Sequence, residues 1–315
     1  MTAPYAMVFP GQGSQSVGML GALVESSPVI RKTFQEASDH LGFDLWQMTQ
    51  ESEEHLNRTE NTQPALLCAS VALWRLWQTG GNTAPSAMAG HSLGEYSALV
   101  CAGALDFGDA VRLVASRGRF MQDAVAPGEG SMAAILGLDE DRITAICNEI
   151  SADTVVAPAN FNAPGQVVIA GHTGAVDKAV AAAKSAGAKR VVVLAVSVPS
   201  HCILMRPAAD QLAELLDNVT IHSPDIPVIH NVDARPRQDA KAIREALVEQ
   251  LYEPVQWTRC VQALTADGVS RVLECGPGKV LGGLCKRIDR HLSCHPMSEP
   301  GDIDKARTAV EEEKP

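Results

Sequence analysis

The stretch SAMAGHSLGEYS, residues 86–97, constrains the fold more than any other. The small apolar residues up to Gly90 read as a strand. GEYSALVCAGAL reads as a helix rich in small residues. Gly90-His91-Ser92-Leu93-Gly94 must turn the chain from one to the other within a few residues. Such a corner forces the central serine into a strained backbone, so that its hydroxyl stands above the edge of a sheet. Glycine on either side relieves the crowding. The N–H groups that follow belong to a helix start and can donate to an anion, with Leu93 placed for that. A plain tight turn would use the same glycines, but the strand and helix on either side favour a nucleophile. His91, next to the serine in the chain, points elsewhere in the corner and is read as a supporting residue rather than the base.

The rest of the chain supplies the sheet this corner requires. YAMVF (5–9) is a strand followed by the glycine-rich loop GQGSQ. Residues 64–78 form a buried helix opening on a proline, which suits a first helical turn, and 108–124 form another. The middle changes character. GSMAAILGL, EDRITAICNEI, TVVAPANF, GQVVIAGH, GAVDKAVAAAKSAGA and KRVVVLAVSV follow in the order β-α-β-β-α-β, the pattern of a ferredoxin-like unit. Helices near 205–217, 239–252 and 257–266, the strands IPVIHNV and RVLECGP, and the helix GKVLGGLCKRI complete the alternation. The predicted fold is therefore α/β, with an α/β-hydrolase-like core and a mostly parallel sheet covered on both faces. The core takes residues 1–126 and 200–315, and the ferredoxin-like subdomain is inserted at 127–199. The polar tail from about 297 is expected to fray.

Composition narrows the function. With 315 residues, 46% of them hydrophobic and 20% charged, the chain can bury a sizeable core. The net charge of −11 argues against general nucleic-acid binding. No apolar run is long enough for a membrane span. The opening MTAPYAMVFPGQG reads as a first strand rather than a secretion signal, so a cytoplasmic protein is expected. The eight cysteines form no CxxC pair, which suits buried free thiols, and no metal site is expected.

A serine nucleophile needs a base. His201, in VSVPSHCILMRPAAD, lies at a loop-to-helix junction after the last strand of the inserted unit. His230 in IPVIHNV and His172 after QVVIAG are rivals. No acidic third member stands out.

Seven blocks then occur in order: VFPGQGSQSVGM, AGHSLGEYSALVCAGAL, RGRFMQ, NFNAPGQVVIAG, VSVPSHCILMRPAAD, LYEPVQW and ECGPGKVLGGL. Together they resemble the malonyl-CoA:acyl carrier protein transacylases of bacterial type II fatty acid synthesis, over about residues 5–290. The resemblance implies Ser92 as the acyl-accepting nucleophile and His201 as its base. It implies that the main-chain carbonyl of Gln250 orients that base, and that the N–H groups of Gln12 and Leu93 form the oxyanion hole. Arg117, in SRGRF, would bind the malonyl carboxylate, with Gln63 and Asn162 lining the pocket. A guanidinium fork suits a carboxylate bidentately. Arg117 follows VRLVAS on a helix and is expected to be half-buried, whereas Arg112 and Arg119 read as solvated helix charges. The chain has Ser200 before the base where many relatives have Phe, which leaves more room beside the acyl group.

The implied reaction is ping-pong transfer of a malonyl group from malonyl-CoA to the phosphopantetheine thiol of acyl carrier protein. No bound cofactor or metal is implied, and a monomer is expected. Acyl carrier proteins are acidic, so an enzyme at −11 needs local basic clusters for docking. Lys189 with Arg190, and Lys279 with Lys286, Arg287 and Arg290, are the candidates. A thioesterase or serine esterase on the same corner, and a methylmalonyl-tolerant acyltransferase, are the alternative functions.

Overall fold

In the computed structural model, which describes residues 4–151, 154–196 and 198–311, the strands fall into two sheets. The first third of the chain comprises β1 (Tyr5–Phe9), α1 (Gly21–Ser26), α2 (Pro28–Leu41), α3 (Leu45–Glu51), α4 (Glu53–Leu56), α5 (Thr59–Gln78), β2 (Ala87–Gly90), α6 (Gly94–Cys101) and α7 (Phe107–Asp123). The middle comprises β3 (Gly130–Leu136), α8 (Glu140–Ile150), β4 (Val156–Ala163), β5 (Gln166–His172), α9 (Thr173–Ser185) and β6 (Arg190–Val193). The last third holds α10 (Arg206–Leu216), β7 (Val228–Ile229), α11 (Ala240–Glu249), α12 (Trp257–Ala266), β8 (Arg271–Glu274), α13 (Val280–Ile288), β9 (Ser293–Pro296) and α14 (Pro300–Glu311).

The larger sheet has the order β7-β2-β1-β8-β9, and every neighbouring pair is parallel. Alternate residues feed two cores, as the two-residue period of a strand requires. Tyr5, Met7, Phe9, Met88, Val228 and Leu273 pack on one face. Ala6, Val8, Ala87, Ala89, Ile229 and Val272 pack on the other. Strands covered on both faces must be apolar at nearly every position, which is what YAMVF and AMAG show. The chain builds outward from β1 to β2 and β7, then crosses back to add β8 and β9. In such a sheet the crevice opens where the order reverses, at the carboxyl ends of the strands. The loops after β1 and β2, carrying Gln12 and Ser92, lie there.

The smaller sheet is antiparallel throughout, in the order β4-β5-β3-β6. All its strands come from residues 130–193, between β2 and β7 of the larger sheet. One face packs on α8 and α9 through Ile135, Ile143, Val167, Ile169, Val176 and Val180. The other gathers Met132, Val168, Ala170 and Cys202, with Leu194 and Val196 packed against them.

Several elements differ from expectation. The buried helix begins at Thr59, so Pro64 lies inside it rather than in its first turn. The tail does not fray after 297: α14 buries Ile303, Ala306, Ala309 and Val310, and residues 312–315 lie outside the described residues. The last predicted strand stops at Val193, and Leu194, Val196 and Val198 line a cleft instead. Helices α1 to α4 and strand β9 were not anticipated. For α2 a signal existed, since Ile30, Phe34 and Ala37 recur on one face at helical spacing.

Candidate active site

Close backbone approach dictates both glycines of the corner. A Cβ on Gly90 would lie 1.8 Å from the backbone carbon of Gly94, and one on Gly94 would lie 2.0 Å from Phe9 O. Neither glycine is needed for a left-handed φ; Ser92 between them carries that, at φ +52°. A side chain held there costs about 1–3 kcal/mol, which the surrounding bonds must offset. The Ser92 N–H donates to Asn231 Oδ1 at 2.7 Å, and the His91 N–H donates to Phe9 O at 2.9 Å. The N–H groups of Gln12 and Leu93 have no acceptor among the described residues, and both residues line the cleft at the nucleophile.

His201 reaches the serine from across the cleft. Its Nε2 stands 2.7 Å from Ser92 Oγ and its Nδ1 2.6 Å from the main-chain O of Gln250. A carbonyl can only accept, so Nδ1 carries the proton and Nε2 is left to accept from the serine. His201 is also left-handed, at φ +61°, and its N–H donates to Leu251 O at 3.0 Å. Burial, and then the Arg117 charge, hold the imidazole down to about 3. The rival histidines are engaged elsewhere. His172 Nδ1 accepts from Val155 N–H at 3.0 Å, and His230 Nδ1 lies 2.7 Å from Glu95 Oε1.

The depressed base makes a pH prediction. The competent form is the neutral imidazole, present above the folded-state value, so kcat/KM for acylation should show no acid limb near 6.5 and should fall only as pH approaches about 3. The same shift destabilises the fold in acid. Below 6.5 the unfolded chain takes up a proton that the native His201 refuses, so its contribution is complete above 6.5 and is lost as pH falls toward about 3. A pH–rate profile of the half-reaction checks the first, and an acid limb at the ordinary histidine value would contradict it.

Arg117 is buried, with 1% of its surface exposed, not half-buried as expected. It projects from α7, which packs closely on the start of α5 because Gly118 has no side chain: a Cβ there would lie 2.6 Å from Thr59 O. That approach brings Gln63 to Arg117. The guanidinium donates to Gln63 Oε1 at 2.7 Å, to Gln250 Oε1 at 3.0 Å and to Ser92 Oγ at 3.4 Å, and it stands 5.3 Å from the Tyr96 ring centroid. Among the described residues no carboxylate is within ion-pairing distance of it, and its Nε has no hydrogen-bond partner. A desolvated cation with no carboxylate bonded to it, Glu95 reaching it only through Gln250, is a site for an anion.

A serine–histidine dyad beside a buried arginine is the equipment of acyl transfer to or from an acid-bearing acyl group, and the comparisons agree. Residues 6–287 match the model of the acyl transferase domain. The chain belongs to the acyl transferase family. It is 58% identical over 305 residues to a malonyl CoA-acyl carrier protein transacylase of Salmonella typhimurium, covering 96% of this chain and 99% of that one. Its fold matches the malonyl CoA-acyl carrier protein transacylase of Coxiella burnetii with a TM-score of 0.98 at 48% identity, covering 99% of each chain. It also matches a malonyl-transacylase solved in complex with a type II PKS acyl-carrier protein, with a TM-score of 0.96 at 55% identity, covering 97% of this chain and 99% of that one.

The cleft of this acyltransferase is walled by Gln63, Met121, Met132, Asn160, Leu194, Val196, Val198 and Ser200. Asn162, expected on that wall, is instead 2.8 Å from His91 Nε2 through its Oδ1, and Asn160 takes the wall position. His91 is half-buried, with its ring 5.5 Å from that of Trp257 and its Nε2 tied to β4 through Asn162. Arg112 contacts Asp109 and His40 at the surface, as a helix charge does.

The basic candidates are exposed, and four of them lie around one end of the small sheet. Arg190 and Gln166 both pair with Leu136 across the small sheet, and Arg287 donates to Gln166. Lys189 and Lys286 adjoin these in sequence. Lys279 caps α13 on the other side, next to Gly278, which lies against the Ser14 carbonyl beside the Gln12 loop. Three residues lie directly behind the nucleophile, of which the sequence reading named His230 only as a rival base and gave Glu95 and Asn231 no part. Glu95, His230 and Asn231 are wholly buried and joined by hydrogen bonds. Burial is the signal that would have found them: a glutamate on the apolar helix GEYSALVC is there only if it is partnered.

Proposed function

We propose that the protein transfers a malonyl group from malonyl-CoA to the phosphopantetheine thiol of acyl carrier protein, through a malonyl ester on Ser92. The observation that carries this reading is Arg117 NH2 standing 3.4 Å from Ser92 Oγ with no carboxylate partner of its own among the described residues. In a malonyl thioester the carboxylate carbon lies only roughly 2.5 Å beyond the reacting carbonyl carbon, across two single bonds. A cation that close to the nucleophile suits that short acid.

The steps follow from the geometry. His201 Nε2 takes the Ser92 proton as Oγ attacks the thioester carbonyl. The oxyanion is stabilised by the N–H groups of Gln12 and Leu93, each donor of this kind contributing about 3–4 kcal/mol to the barrier reduction. The tetrahedral intermediate expels CoA thiolate, which leaves with the proton from His201. The carrier thiol then enters, gives its proton to His201 and takes the acyl group by the reverse path. The Gln250 carbonyl holds the imidazole and stabilises its cationic form. Gln63 holds Arg117, and Asn162 steadies the corner through His91. No step calls on a metal or bound cofactor.

The architecture supports the division proposed from sequence, with an α/β-hydrolase-like core at 1–126 and 200–315 and a ferredoxin-like subdomain at 127–199. The second-third-first-fourth order of the small antiparallel sheet favours the latter. We read the protein as a cytoplasmic monomer that meets its carrier transiently. No helix among the described residues is long and apolar enough to cross a membrane. The surface joining Lys189, Arg190, Lys286 and Arg287, with Lys279 at the other side of the cleft, is the proposed docking face. Val193 and Val280 add exposed apolar side chains beside these cations. Lys286→Glu with Arg287→Glu should raise KM for the carrier severalfold at low salt and leave KM for malonyl-CoA within twofold. Equal changes in both would remove docking from these residues.

The deciding experiment is intact-protein mass spectrometry after mixing with malonyl-CoA. A malonyl adduct that disappears on adding phosphopantetheinylated carrier supports the transfer reading. Free malonate and CoA accumulating without an adduct would replace it with a thioesterase.

A further inference from the structure

Behind the nucleophile lies a closed polar cluster whose members do not line the cleft. Asn231 brackets the corner, its Oδ1 accepting from the Ser92 N–H at 2.7 Å and its Nδ2 donating to Gly90 O at 2.7 Å. An ionised carboxylate has no donor and a hydroxyl has a single oxygen, so this double contact suits the amide of Asn better than Asp or Ser. Asn231 is held in turn by Glu95, whose Oε2 accepts from the Asn231 N–H at 2.9 Å and from Gln250 Nε2 at 2.9 Å. The other carboxylate oxygen lies 2.7 Å from His230 Nδ1. Gln250 Nε2 also approaches Ser92 O at 3.1 Å, while Gln250 Oε1 accepts from Arg117 and its main-chain O faces His201. Ser92 and His201 both sit at positive φ, a conformation that needs such external bonds.

We propose that Asn231 is the positioning residue of the nucleophile, and that Glu95, by holding Asn231 and Gln250 together, joins the Ser92 corner, the carbonyl that orients His201 and the Arg117 fork into one rigid unit. The proposal rests on the reading of Ser92 as nucleophile. Neither Asn231 nor Glu95 lines the cleft, so each acts through another residue. Loosening the corner moves Oγ relative to the oxyanion donors, and a displacement near 1 Å costs on the order of 10²-fold in rate.

The test separates nucleophile geometry from malonyl recognition. Phenylmethylsulfonyl fluoride has no carboxylate; Ser92 Oγ displaces its fluoride to form a sulfonyl ester, and the departing proton passes to His201. Its rate of labelling, kcat and KM for malonyl-CoA, and the thermal midpoint are measured for wild type, Asn231→Ala and Glu95→Gln. Wild type labelled on Ser92, and Ser92→Ala unlabelled, establish the underlying reading separately. Asn231→Ala should lower kcat and the sulfonylation rate together by about 10–100-fold, with KM within threefold. Glu95 Oε2 accepts from both Asn231 and Gln250, so Glu95→Gln leaves one neutral oxygen for the pair and removes the charge that strengthens both bonds; it should lower kcat and also raise KM for malonyl-CoA. If Asn231→Ala does not fold, the isosteric Glu95→Gln decides. A folded variant that keeps both rates within twofold of wild type overturns the proposal. So does a loss of malonyl transfer with sulfonylation unchanged.

Discussion

Ser92→Ala is expected to take no malonyl label at any time or pH, and His201→Ala to take it roughly 10²–10⁴-fold more slowly than wild type. The two effects differ in kind. Among the described residues Ser92 supplies the hydroxyl placed to receive the acyl group, so its removal takes away that covalent path. His201 supplies a proton acceptor 2.7 Å from that atom. Without it the serine keeps its corner, and the Gln12 and Leu93 N–H groups still face the cleft, so slow acylation survives. The residual reaction should rise with pH, because solvent must now take the proton, whereas the wild-type rate stays flat across neutral pH. A quenched time course read by intact mass measures both. Labelling of His201→Ala within threefold of wild type would falsify its role as base.

Arg117→Ala is expected to lower kcat/KM for malonyl-CoA by about 2–5 kcal/mol, roughly 30- to 5,000-fold, while acetyl-CoA turnover changes far less. Removing the guanidinium strands the substrate carboxylate in a buried site without a counter-charge. An acetyl group has no such carboxylate to strand. The malonyl preference should therefore collapse, and the acetyl-to-malonyl ratio of kcat/KM reports it directly. Arg117→Lys should recover only part of the loss, since an ammonium cannot form the planar fork. Parallel losses for both substrates would assign Arg117 to the scaffold, where its bonds to Gln63 and Gln250 would then be its main work.

The substrate dependence of the base follows from the same charge. Arg117 is one of the causes that depress His201. A bound malonyl carboxylate offsets that positive charge, so the value governing kcat should lie above the one governing kcat/KM. Comparing the two profiles measures the coupling between carboxylate recognition and the base.

Much of the site was legible in the chain because its residues sit where local rules are strict. Two glycines flanking Ser92 are required by backbone atoms that approach to about 2 Å of where a Cβ would be. Alternation of YAMVF and AMAG with helices requires a parallel sheet, and a parallel sheet places its crevice at the strand ends. What escaped was of two kinds. Short helices such as α3 and α4, and the edge strand β9, carry too few residues for a period to show. The fraying expected of the tail failed because Ile303, Ala306 and Val310, diluted among charges in the sequence, converge on one buried face.

By itself the sequence determined the corner, the parallel sheet that must carry it and the chemical types available there: a hydroxyl, an imidazole and a guanidinium. Tertiary structure alone decided that residues 92, 117, 201 and 250 meet within hydrogen-bond distance, and that a glutamate on an apolar helix lies beneath them. The physical reason is range. Local patterns register what a residue does to its own backbone within a turn or a strand. The partners of Ser92 lie 109 and 139 positions away along the chain, brought to it by sheet order and helix packing.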